Sequence, residues 1–122
     1  MPTAFTAFLT ELVGTVPSSI GAVIQDSDGE TVDSFGHLSD FDLMICAAQW
    51  GLLWRELQFP PEPRSLTGTT EILIETTRQK ILLTTLFREY YLVFILSKDT
   101  PLVEARRILD RYLTDIRKEM GL

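Results

Sequence analysis

The chain has 122 residues, 45% of them hydrophobic, a net charge of −6 and a pI near 4.7. That length suits one domain spanning residues 1–122, able to bury about two-thirds of its unfolded surface, and six prolines do not suggest disorder. The acidic balance argues against a nucleic-acid surface, and the longest apolar run, Tyr90 to Leu96, falls far short of the roughly 20 residues that cross a bilayer. No basic residue precedes Phe5 and Phe8, so no secretory signal is expected, and the single cysteine, Cys46, fits a reduced, cytoplasmic setting.

Taken in chain order, Phe5, Phe8, Leu9, Leu12 and Val13 follow helical spacing, with Pro2 or Thr3 at the start and Gly14 near the end. The β-branched run Ile20 to Ile24, the turn Asp26-Ser27-Asp28-Gly29 and the alternating Glu30 to Phe35 read as a hairpin. Ser39 or Asp40 caps a long helix from Asp40 to Gln58, which ends before the rigid loop Pro60-Pro61-Glu62-Pro63.

That helix has apolar residues on nearly every side. Asp42, Gln49 and Glu56 recur every seven residues as one polar stripe roughly 40° wide. Leu43, Cys46, Trp50, Leu53, Trp54 and Leu57 make one broad apolar face. Phe41, Met44, Ala48 and Leu52 continue a second, past the small residues Ala47 and Gly51. One sheet covers one stripe, so the second face asks for a further helix, most simply its own copy.

Strand patterning resumes at Thr69. Ile72 and Ile74 alternate with Glu71, Leu73 and Glu75, a turn over Thr76 to Gln79 leads into Lys80 to Leu86, and Arg88-Glu89 precedes Tyr90 to Leu96. The unbroken apolar character of this last run places it mid-sheet, covered on both faces. Asp99 or Thr100 caps the final helix with Pro101 in its first turn, and Leu102, Ala105, Leu109, Tyr112 and Ile116 form its core stripe. The fold class is α+β, in the order αββαβββα, with one helix on one face of a five-stranded antiparallel sheet and two on the other.

Chemistry is sparse. There is no glycine-rich phosphate loop and no nucleophile elbow, so neither a nucleotide cofactor nor catalysis by this chain is expected. With Gly29 at the sixth position of a calcium loop, Ile24 and Phe35 would fall where oxygen ligands belong. His37, the single histidine, has no ligand partner at metal-site spacing beyond Asp40, and Cys46 lacks a basic neighbour and reads as an inert thiol. No cofactor, metal or small-molecule substrate is expected.

The order of elements and several local sequences resemble the Roadblock/dynein light chain family. The resemblance runs through Phe8-Leu9, Gly21 to Asp26, Asp28-Gly29-Glu30, Ala47-Ala48, Ile72 to Thr76, Tyr91 to Leu96 and Ala105-Arg106. It implies dimerisation through the middle helix, by way of Met44, Ala47, Ala48 and Gly51, and through the strand Glu71, Ile72, Leu73, Ile74 and Glu75, which would join its mate in one continuous sheet. Pairing would also cover an edge strand that is otherwise an aggregation hazard. Free-standing bacterial members resembling the gliding-motility regulator MglB bind a small Ras-like GTPase, and some stimulate its hydrolysis by reshaping the GTPase without inserting an arginine finger. The resemblance therefore implies a homodimer, or a dimer with a paralogue, whose middle helix presents Asp42, Gln49, Trp54, Arg55 and Glu56 to such a GTPase. Gly121 and Leu122 follow directly on the last helix, so an accessory contact through a C-terminal tail is not expected. Two other readings are a passive scaffold subunit that binds regardless of nucleotide, and a small-ligand sensor.

Overall fold

Tyr90–Ser97 (β5) lies at the centre of the molecule because both its faces are covered, and its residues Tyr91 to Leu96 are all buried. The computed structural model describes residues 4–58 and 68–121. The Pro60 to Pro63 loop and the expected Pro2 or Thr3 helix start lie outside the described residues. Around β5 the elements follow the expected order: α1 (Ala4–Thr15), β1 (Ser19–Gln25), β2 (Thr31–Gly36), α2 (Asp40–Gln58), β3 (Glu71–Glu75), β4 (Gln79–Phe87) and α3 (Leu102–Glu119). The strands form one antiparallel sheet in the order β2-β1-β5-β4-β3.

Side chains of a strand alternate between faces, so β5 feeds two cores. Leu92, Phe94 and Leu96 join Ala22, Ile24 and Leu82 beneath α1 and α3. Tyr91, Val93 and Ile95 join Val23, Ile81 and Leu83 beneath α2. Each fully buried aliphatic side chain contributes roughly 1.5–3 kcal/mol. One helix therefore covers one face and two cover the other.

Local chemistry sets the ends. In the β1–β2 turn, Asp26 Oδ1 accepts the amides of Asp28 and Glu30 at 2.9 and 3.0 Å, and Gly29 takes φ +81°, the left-handed region that other residues enter at a cost. Ser39 caps α2, its Oγ accepting the Asp42 amide at 3.1 Å. The start of α3 differs from expectation: Pro101 occupies the cap position with no side-chain cap bond, and the Thr100 hydroxyl donates to the Ser18 carbonyl at 3.1 Å. Thr100 ties the helix entry to the neighbouring loop in place of capping it. The buried stripe of α3 is wider than expected, since Ile108 and Leu113 join Ala105, Leu109 and Ile116, leaving Leu102 and Tyr112 at its flank. A helix that packs on a sheet and on α1 together needs the broader stripe.

Candidate functional site

The rotation of α2 on the sheet decides which of its apolar residues remain available. Leu43, Ala47, Gly51 and Trp54 are its buried residues. Ala47 and Gly51, expected at a dimer seam, thus face the chain's own sheet and offer nothing to a mate. The reason lies beneath them. Gln25 from β1 and Tyr91 from β5 rise toward the helix, and only a glycine clears them: a Cβ on Gly51 would collide with Gln25 Oε1 and stand 2.7 Å from the Tyr91 hydroxyl.

A polar chain fills that space. Arg55 Nη1 donates to the Tyr91 hydroxyl at 2.9 Å, and this hydroxyl donates to Gln25 Oε1 at 2.6 Å. Gln25 is fully buried, and its Nε2 has no hydrogen-bond partner among the described residues. Gly29 leaves room for the Arg55 guanidinium, which a Cβ there would meet. Burial pushes the Tyr91 phenol above its ordinary value, partly offset by the charge and hydrogen bond of Arg55. The Trp54 ring stacks on Tyr91 with centroids 5.6 Å apart and is 4% exposed. The partner contact read for Trp54 therefore gives way to a core role, and Arg55 is half-buried and anchored.

The opposite side of α2 is open and largely apolar. Phe41 is 64% exposed and Leu52 55%, with Met44, Ile45 and Ala48 exposed between them. Asp42, Gln49 and Glu56 are exposed beside this strip, as the seven-residue spacing predicts. Ile45 was missed by the sequence reading, although it stands four residues from Phe41 and three from Ala48, a spacing that marks it as a member of the strip. Cys46 is half-buried; desolvation raises its thiol pKa, with a hydrogen bond to Trp50 in partial opposition. His37 is exposed.

Beside the helix the sheet is unfinished. α2 packs mainly over β1 and β2, leaving Ile72 and Ile74 of β3 half-buried on the same sheet face. Among the described residues β3 pairs only with β4, so its other edge carries backbone groups without a strand partner there. Leu73 and Glu75 are exposed, and the half-buried Glu71 is ion-paired with Arg106 of α3. The open strip of α2 and the open edge of β3 thus occur in one molecule as two uncovered surfaces.

A cleft of about 220 Å³ opens at the far end of α2, between Trp54, Arg55 and Gln58 on one side and Arg88, Tyr90 and Tyr91 on the other. It is smaller than the ~300–1,000 Å³ usual for ligand pockets. Among the described residues, no group of three or more His, Cys, Asp or Glu could hold a metal ion, and no helix is long and apolar enough to cross a membrane.

No family model matches this chain, and no curated protein matches it in sequence. Solved structures do match its fold. MglB of Myxococcus xanthus superposes with a TM-score of 0.82 at 15% identity, over 97% of this chain and 95% of that one. MglC of the same organism gives 0.69 at 20% identity, over 96% and 99%. A Roadblock/LC7 domain from Streptomyces avermitilis gives 0.76 at 15% identity, over 95% and 97%. The chain has the Roadblock/LC7 fold, the fold its resemblance implied.

Proposed function

We propose that this chain is a dimeric regulator or adaptor that binds a small Ras-like GTPase, with two α2 helices side by side forming the platform. The observation that carries the reading is the exposed strip Phe41, Met44, Ile45, Ala48 and Leu52 on a helix whose other side is already committed to the sheet. Contiguous apolar surface of this kind marks a contact site, and the unpaired β3 edge supplies a second one. Two-fold pairing would cover both at once: strand Glu71–Glu75 would run antiparallel to its copy, with Leu73 and Glu75 near the seam. The fold shared with MglB and MglC supports the same direction.

In the dimer, Asp42, Gln49 and Glu56 would rim the platform. Arg55 is held by Tyr91, so stimulation of hydrolysis would come from reshaping the GTPase and not from an inserted arginine. The test is GTP turnover by a cognate small GTPase with and without this protein, alongside pull-down of its GTP-loaded and GDP-loaded forms. Preferential binding of one loaded form, with or without faster turnover, is the expected result. Equal binding of both forms makes the chain a scaffold subunit, and binding of neither overturns the proposal.

A further inference from the structure

The sheet's other edge carries an independent signal. Among the described residues β2 pairs only with β1, and it lies at the opposite side of the sheet from β3, so a dimer formed through β3 leaves it open. The His37 amide donates to the Ile20 carbonyl at 2.8 Å. By the alternation of antiparallel pairing, the amides of Asp33 and Phe35 then face β1, and those of Ser34 and Gly36 face outward; Val32 is the extra residue of a bulge opposite Ile24 and Gln25. The Ser34 amide is held by its neighbour's Asp33 Oδ1 at 2.8 Å, a local acceptor that an incoming carbonyl could replace.

Edge strands are commonly blunted by lysine, proline or a bulge. β2 has no lysine or proline, and its bulge is confined to the Thr31 end, leaving Ser34 to Gly36 in regular register. It shows Phe35, 37% exposed on the α1 side, with Val32, 41% exposed, at the bulge and exposed Leu38 just beyond. An added strand would thus find apolar contacts along this edge.

Charge identifies the guest. The first Lys or Arg of the chain is Arg55; the preceding 54 residues contain seven carboxylates and no such cation. Asp28 and Glu30 stand exposed at one end of β2, and Asp40 and Asp42 at the other. Two copies of this chain meeting edge to edge here would bring like charges together, which disfavours self-pairing. We propose that the outer edge of β2 docks an extended, lysine- or arginine-bearing segment of a partner protein as a sixth strand.

The probe is a short synthetic peptide that alternates valine with lysine, compared with its valine–glutamate counterpart, on the full chain. Amide exchange should slow at Ser34 and Gly36 with the lysine peptide alone, and affinity should fall about tenfold or more between roughly 50 and 500 mM salt, as charge screening requires. Ser34→Pro places a ring where the outward amide was and should abolish binding while circular dichroism and melting temperature stay near those of the parent. Should that variant misfold, Asp28→Asn with Glu30→Gln should weaken the lysine peptide severalfold and flatten its salt dependence. Equal affinity for both peptides, protection confined to α2 or β3, or no binding of either peptide overturns the proposal. Peptide binding is read independently of GTPase binding, so the failure of one leaves the other standing.

Discussion

Gly51→Ala separates two accounts of α2 by the sign of its effect. If Gly51 lay on an open seam, a methyl group there would help, because alanine is favoured over glycine within a helix by about 1 kcal/mol. The structure instead sets Gln25 Oε1 and the Tyr91 hydroxyl, at 2.7 Å, in the path of that methyl group. Overpacking a filled core costs typically 1–3 kcal/mol, and moving Tyr91 away sacrifices its bonds to Arg55 and Gln25, worth about 1 kcal/mol each. Against the helix gain, the net expectation is a loss of about 2–4 kcal/mol. Urea unfolding followed by Trp fluorescence measures it directly, since Trp54 stacks on Tyr91. The midpoint should fall with an unchanged slope. A stabilised variant would refute the placement of Gly51 against the sheet.

Other expectations concern neighbouring groups. Replacing Ile45 and Leu52 together by lysine should make the chain monomeric by light scattering, while stability measured at low concentration changes by less than about 1 kcal/mol, because both side chains are exposed in the single chain. Tyr91→Phe should cost about 1–3 kcal/mol by leaving Arg55 and Gln25 short of a partner. The Tyr91 phenol binds its proton more tightly in the folded state than in the unfolded one. Its stabilising effect is therefore complete below the ordinary tyrosine value, about 10, and is lost as pH rises through the higher folded value. Urea titrations from pH 9 upward should show a steeper alkaline fall for the parent than for Tyr91→Phe. Cys46, whose thiol is raised by burial, should react with iodoacetamide at pH 8 several times more slowly than the same thiol in the urea-unfolded chain, and an equal rate would contradict its half-buried position.

Much of the architecture was legible where a pattern is local. The Asp40–Gln58 helix has the bounds expected from Ser39 and from helical spacing, and Tyr91 to Leu96 is buried mid-sheet because an unbroken apolar run has no polar side to expose. The rotation of α2 was not legible. Leu, Trp and Met occur on nearly all its sides, so periodicity could not rank them, and small residues such as Ala47 and Gly51 carry no strong preference. What turns the helix is the height of Gln25 and Tyr91, which reach it from strands far away in sequence. The α3 cap failed for a related reason: the Thr100 side chain is turned toward the Ser18 carbonyl, to which its hydroxyl donates, a contact no local motif encodes.

The central claim is that the open side of α2 and the free edge of β3 belong to a dimer. Sedimentation equilibrium at micromolar concentration tests it most directly: the expected mass is twice the 13.9 kDa of the chain, reverting to the single-chain value in the Ile45→Lys, Leu52→Lys variant. A parent protein that sediments at 13.9 kDa would contradict it.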